Sequence, residues 1–259
     1  MTGDLTRDLL NHQLISERYF FPRRGACPNP FWVDCGDARL ACYYRQVHPA
    51  ARTLVHFHGN GEIIDDYLHD FVKLIADMGC NCLLVEFRGY GRSTGKPELG
   101  KMLDDVPKVV AALGQPPEQL VFFGRSVGSI FALEAAAQFP GAAGLVLESG
   151  VADVLERLLL RVDPRELGVT AEQFESAVTA NCNHQEKLAR FAGPVLVLHA
   201  RWDSLVDVSH GERLYQWALG NKRLVVFPRG YHNDVMSVNA NEYFAALGDF
   251  LAGLDSPRP

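Results

Sequence analysis

Short apolar runs recur along the chain, each bounded by polar or turn-forming residues. Eight of them are rich in β-branched and aromatic residues and read as strands: "FWVDC", "RLACYYRQV", "TLVHFH", "CNCLLVEF", "QLVFFG", "GLVLES", "PVLVLHA" and "RLVVFP". Several are apolar at nearly every position rather than at alternate ones, which is the pattern of strands buried on both faces. The stretches between them have helical spacing. After "HGNG", Ile64, Leu68, Phe71, Ile75 and Met78 follow at steps of four, three, four and three, and Gly79 supplies a stop. Tyr243, Leu247, Phe250 and Leu254 repeat the pattern near the end. This alternation predicts an α/β fold, a mostly parallel central sheet with helices on both faces. The first two strands have no helix between them and predict an antiparallel entry to the sheet.

One stretch interrupts the alternation. From Val151 to about Arg190, two helical patterns, "VADVLERLLLRV" and "TAEQFESAVTANC", stand where a single crossover would suffice, with Pro164 and Gly168 between them. The expected organisation is therefore an N-terminal extension (1–30), a core formed by 31–150 and 191–254, a small helical cap insertion (151–190) and a frayed tail (255–259). Leu155, Leu158 and Leu159 of the cap could line an acyl pocket, but an apolar helical face more often packs as core, and that reading is preferred.

Composition narrows the functional classes. The 259 residues suit a single α/β domain, and 25 Lys+Arg against 31 Asp+Glu give a formal charge of -6 with no basic run to follow a phosphate backbone. Nucleic acid is not an expected partner. The start lacks a secretory pattern and no run of apolar residues is long enough to span a bilayer, so a soluble, cytoplasmic protein without an integral membrane segment is expected. Six cysteines occur without C-x-x-C spacing and are expected to be reduced and to pack as small hydrophobes. His56 and His58 alternate on one strand, but no third ligand follows at usable spacing, so neither metal nor cofactor is expected.

The candidate chemistry lies in two G-x-S-x-G matches, "GRSTG" (91–95) and "GRSVG" (124–128). A nucleophile elbow turns sharply from a strand into a helix, lifting the hydroxyl above the sheet and aiming a helix N-terminus at it. "QLVFFG" precedes Ser126 and "VGSIFALEAAAQF" follows it, which meets that condition. Ser93 is followed by "TGKPELG", where Gly95, Pro97 and Gly100 are expected to prevent a regular helix, so Ser93 is read as a loop residue. A serine nucleophile needs a base, an orienting acid and donors for the oxyanion. His232, in "FPRGYHND" past the last strand, is the candidate base. Asp203, directly after "PVLVLHA", is the preferred acid; Asp207 and Glu148 are alternatives, and Asp234 is assigned to local backbone. The glycines of "HFHGNGE" allow a sharp turn with exposed amides, and the backbone N–H groups of Asn60 and Val127 are the candidate oxyanion donors.

The ordered set "HFHGNGE", "EFRGYGRSTG", "GRSVGS", "HARWDSLVD" and "GYHND" resembles the α/β-hydrolase superfamily, and within it the branch of serine aminopeptidase-like lipases, bud-emergence-type proteins and depalmitoylating thioesterases. The resemblance covers about Phe31 to Leu254. It implies a Ser-Asp-His triad at Ser126, Asp203 and His232, an oxyanion amide from the first glycine-rich loop, and a "RGYG" loop beside the site. Many relatives carry a lipidated or membrane-anchored N-terminus, of which this sequence shows no sign, so direct action at a membrane is not implied. The activity expected is hydrolysis of a small-molecule or acyl-group ester, or a thioester, through an acyl-enzyme. A peptidase or amidase using the same residues is an alternative, and a noncatalytic binding protein on the same fold is another.

Overall fold

The computed structural model of the chain describes residues 3–254; the predicted tail lies outside the described residues. Eight strands form one sheet in the order β1-β2-β4-β3-β5-β6-β7-β8. They are β1 Phe31–Asp34, β2 Arg39–Arg45, β3 Thr53–Phe57, β4 Asn81–Val85, β5 Leu120–Arg125, β6 Gly144–Glu148, β7 Val195–Ala200 and β8 Lys222–Phe227. β1 and β2 pair antiparallel, β2 pairs antiparallel with β4, and the remaining ladders are parallel. The continuously apolar runs are the central strands: every residue of β3, β4, β5, β6 and β7 is buried. Their side chains alternate between two cores. Val55, Phe57, Leu83 and Val85 enter one; Leu54, Cys82, Leu84 and Phe123 enter the other.

The helices are α1 Gly3–Leu10, α2 Gln13–Tyr19, α3 Asp70–Asp77, α4 Leu99–Ala112, α5 Gly128–Gln138, α6 Val154–Leu159, α7 Ala171–Cys182, α8 His184–Ala189, α9 Val208–Trp217, α10 Val235–Val238 and α11 Ala240–Gly253. α3 and α11 supply apolar residues to the second core, and α4, α5, α7 and α9 to the first. Among the described residues no helix is long and apolar enough to cross a membrane. All six cysteines are buried free thiols.

Two local expectations are corrected. The apolar spacing after "HGNG" is split between a 3-10 turn, Ile64–Tyr67, and α3, with His69 at φ -94° and ψ -82° breaking the helical run. Gly100 does not prevent a helix. It lies in the first turn of α4, where a Cβ would stand 2.6 Å from the Arg7 carbonyl oxygen and 2.7 Å from Asn11 Oδ1, so the glycine admits the N-terminal helices against α4. Within the N-terminal extension, Gly3–Leu10 and Gln13–Tyr19 are helical, and α1 packs on α7 and α4, with Asn181 Nδ2 donating to Thr6 Oγ1 at 3.3 Å.

Between β6 and β7 the chain runs through α6, a 3-10 turn at Pro164–Leu167, α7 and α8. α7 begins with a capping box in which Thr170 and Gln173 satisfy each other's amides. Leu158 is buried in the core and Leu155 packs against it, while Leu159 is exposed. The helical face therefore serves packing.

Candidate active site

β5 enters the site and α5 leaves it, and Ser126 makes the turn between them at φ +52°. A non-glycine residue in this left-handed region costs about 1–3 kcal/mol, so its surroundings must impose it. The Ser126 amide donates to the Glu148 carbonyl at 2.8 Å, and the Ser126 carbonyl accepts from the amide and hydroxyl of Ser129 at 3.0 and 2.6 Å. The flanking glycines answer to close approach. A Cβ on Gly124 would lie 2.5 Å from Ser129 Cα, and one on Gly128 only 2.1 Å from the Phe57 carbonyl oxygen. The G-x-S-x-G spacing thus reflects α5 pressed against the ends of β3 and β5.

His232 lies past the edge strand β8 and reaches back over this turn. Its Nε2 is 2.8 Å from Ser126 Oγ, and its Nδ1 is 2.7 Å from Asp203 Oδ2. A carboxylate only accepts, so Nδ1 carries the proton and Nε2 is left as an acceptor for the serine hydroxyl. Asp203 Oδ1 accepts the amides of Leu205 and Val206 at 2.9 and 2.8 Å. Burial pushes the Asp203 carboxyl up, but the hydrogen bond and charge of His232 and the Val206 amide outweigh it and hold it below the ordinary aspartate value.

The alternative acids are engaged elsewhere. Glu148 accepts from Arg125 Nε at 3.1 Å and from the Tyr243 hydroxyl at 2.5 Å. Asp207 caps α9 by accepting the Ser209 amide, and Asp234 accepts the Tyr231 amide. Ser93 is buried, with its Oγ accepting the Ala41 amide at 2.8 Å. Both the hydroxyl oxygen and the surrounding loop thus serve β2.

A cavity of about 220 Å³ opens on Ser126 and His232 and is also bordered by Asn60 and Val127. The backbone N–H groups of these two residues donate to no protein acceptor among the described residues, and Val127 heads α5. A larger cleft of about 550 Å³ lies at the opposite, amino-terminal ends of the strands, beside Arg52, Cys80 and Gln119 at the starts of β3, β4 and β5. In open α/β sheets ligands bind outside the carboxyl ends of the strands, which is where Ser126 stands.

Several contributors escaped sequence reasoning. The Asn60 side chain donates to the Tyr19 carbonyl at 2.5 Å and accepts from the Phe21 amide at 3.0 Å and the Tyr90 hydroxyl at 2.9 Å. These bonds place Tyr19 and Phe21 in the cavity wall. Arg125, the variable residue before the serine, is buried and ties four pieces together. It pairs with Glu62, donates from Nε to Glu148 and donates from Nη2 to the His232 carbonyl at 3.0 Å, while Glu62 accepts the Gly59 amide at 2.6 Å. The partners are far apart in sequence, and no local pattern announces them.

His56 and His58 also separate in role. His56 sits among the rings of Tyr67, Phe71 and Phe123 at centroid distances of 4.5, 4.9 and 5.0 Å. Burial, followed by the charges of His58 and Arg125, holds its pKa well below the ordinary value. Among the described residues no cluster of three or more His, Cys, Asp or Glu is arranged to hold a metal. His58 donates from Nδ1 to the Gly59 carbonyl and from Nε2 to Glu86, both at 2.8 Å. Both partners can accept, an arrangement that favours the doubly protonated ring. Burial opposes that charge, but Glu86 and the Gly59 carbonyl raise its pKa above the ordinary value of about 6.5. Its stabilising contribution is complete below that value and is lost as pH rises through the raised folded one. A His58→Gln variant is expected to lose this part of the alkaline decline in melting temperature, measured by calorimetry across that range; an unchanged pH profile would count against the charged ring.

Comparison with known proteins adds lineage to this geometry. A family model described as serine aminopeptidase, S33, matches residues 48–165, a span that holds Asn60, Ser126 and Val127 but ends before Asp203 and His232. The alpha/beta hydrolase domain-containing protein 17C of Mus musculus is 27% identical over 185 residues, covering 70% of this chain and 54% of its own length. The 17B protein of Xenopus laevis is 26% identical over 223 residues, covering 83% and 71%. The chain spans about half the length of the 17C relatives it matches. An esterase of Pyrococcus furiosus superposes with a TM-score of 0.70 at 19% identity, over 90% of this chain and 97% of its own. Est1E of Butyrivibrio proteoclasticus, solved with ferulic acid, gives 0.72 at 19% identity over 86% and 98%. Sequence relatives and sheet topology agree: the chain has the α/β-hydrolase fold and is similar to hydrolases built on it.

Proposed function

We propose that the chain is a serine hydrolase that cleaves a carboxylic ester or thioester through an acyl-enzyme intermediate. The observation that carries this reading is the continuous hydrogen-bond path from Ser126 through His232 to Asp203, at a cavity edged by two spare amides. His232 Nε2 accepts the Ser126 proton as Oγ attacks the carbonyl carbon, and Asp203 steadies the imidazolium that forms. The backbone N–H groups of Asn60 and Val127 receive the developing oxyanion, each donor being worth roughly 10² to 10³ in turnover. His232 then passes its proton to the leaving alcohol or thiol. A water loses its proton to Nε2 as its oxygen bonds the acyl carbon; the bond to Ser126 Oγ then breaks, Oγ takes the proton back from Nε2, and the acid is released. Residues 151–190 form the proposed cap, contributing Val151 and Arg157 to the cavity wall.

Amide hydrolysis is a second reading, favoured by the description of the matching family as a serine aminopeptidase. Turnover of a 4-nitrophenyl ester, an acyl thioester and an aminoacyl 4-nitroanilide separates the two. The ester and thioester are expected to lead the anilide by at least about 10²-fold in kcat/KM, on the scale of one lost oxyanion donor. A faster anilide would install the peptidase reading instead, and a protein that turns over none and resists fluorophosphonate would overturn both.

A further inference from the structure

The chain is acidic overall, yet the cavity above Ser126 is not. Three arginines border it, Arg125, Arg157 and Arg161, and no aspartate or glutamate does. Arg125 is already committed to Glu62 and Glu148 beneath the floor. Arg157 and Arg161 are not so committed: neither guanidinium makes an ion pair among the described residues, although Asp153, Glu156 and Glu166 stand nearby in sequence. Those acids pair instead with Arg213 and Arg18. Arg161 rests over the Phe21 ring with its Cζ 5.8 Å from the centroid, on the cavity rim. The two arginines are four residues apart on α6 and the turn that continues it, where the Arg161 and Val162 amides still donate to the Leu158 carbonyl. Like charges at this spacing repel, which folding alone does not reward.

We propose that this cavity selects an ester or thioester bearing an anionic group, a carboxylate or phosphate, which Arg157 and Arg161 bind while the acyl carbon lies over Ser126. The inference rests on the serine hydrolase reading above and deepens it. A guanidinium pair suits either anion through bidentate hydrogen bonds, and a cleft lined by one sign of charge concentrates oppositely charged ligand by about 10- to 10³-fold. The exposed side chains of Phe21 and Leu205 on the same wall offer apolar contact to the rest of such a molecule.

Two matched pairs of substrates locate the anion. Mono-4-nitrophenyl adipate against 4-nitrophenyl hexanoate places it on the acyl side; hexanoyl-coenzyme A against hexanoyl-N-acetylcysteamine places it on the leaving side. The charged member of at least one pair is expected to lead in kcat/KM by roughly tenfold or more at low salt, chiefly through KM, with the lead shrinking as salt rises. In the Arg157→Gln/Arg161→Gln variant that ratio should collapse toward one. It should survive in Arg157→Lys/Arg161→Lys and in the distant control Arg190→Gln/Arg223→Gln. No lead in either pair, or a lead that persists in the glutamine variant, overturns the proposal. Binding separates this failure from failure of the hydrolase reading. Calorimetric titration of the Ser126→Ala protein with monomethyl adipate, methyl hexanoate and coenzyme A reads the anion site without turnover. Binding of a charged probe alone, abolished by the glutamine pair, supports the site even if no ester is cleaved; equal binding of charged and neutral probes, or none, counts against it.

Discussion

Ser126→Ala is expected to lower kcat toward esters by on the order of 10⁶-fold and to abolish fluorophosphonate labelling, with the fold unchanged. The loss is large because the remaining parts cannot substitute for the nucleophile: His232 would have no hydroxyl to deprotonate, and the free amides of Asn60 and Val127 stabilise an oxyanion only once it forms. Residual hydrolysis of about 10³ to 10⁴ over water is the contribution left to those amides and to binding. Stability should move little, since alanine occupies the same left-handed turn and, among the described residues, the hydroxyl bonds only to His232 Nε2. Ser93→Ala supplies the contrast. It leaves the buried Ala41 amide without its acceptor, a cost of about 1–3 kcal/mol, while turnover per folded molecule stays near that of the parent. Mass spectrometry of the labelled, folded protein decides the matter: a probe attached to Ser93 would sink the assignment.

Asp203→Asn is expected to reduce kcat by on the order of 10⁴-fold without unfolding the protein. The local hydrogen bonds dictate why. Leu205 and Val206 both donate to Oδ1, so the asparagine carbonyl must take that position and its amide must face His232. An amide donor forces Nδ1 to accept, which moves the ring proton to Nε2 and leaves Ser126 facing a donor instead of a base. The same change at Asp207, which caps α9, should leave kcat within about threefold and stability nearly unchanged, because the asparagine carbonyl can accept the same Ser209 amide. Burst and steady-state ester kinetics measure both, and an Asp203→Asn protein within tenfold of the parent would return the acid role to another carboxylate.

The strands were readable because central parallel strands are apolar at every position, and the structure places all eight within a residue or two of those runs. The parts of the site that depend on one turn were readable too. A serine after β5 and before α5 announces itself through its flanking glycines, whose reason is steric and local. Asp203 and His232 were legible from their places just past β7 and β8. The N-terminal helices and the Asn60 contacts to Tyr19 and Phe21 were not, because such bonds join residues some forty apart and leave no periodic trace. Arg125 was hidden for another reason: a buried arginine reads as a surface residue until Glu62 and Glu148 are placed around it. The split after "HGNG" and the helix through Gly100 show tertiary packing overriding a correct local preference.

Ser126 and His232 are held by unequally protected parts of the molecule. The serine turn is locked between β3, β5 and β6 in the middle of the sheet, whereas His232 follows β8, an outermost strand whose residues are mostly only partly buried. Excursions that peel an edge strand and its trailing loop need less free energy than global unfolding. In such an excursion Ser126 would keep its strained geometry and lose its hydrogen-bond partner His232, and the bond from Arg125 to the His232 carbonyl is the tether that opposes it. Heat would then silence the protein in two stages, a reversible disarming at the rim and only later the collapse of the sheet.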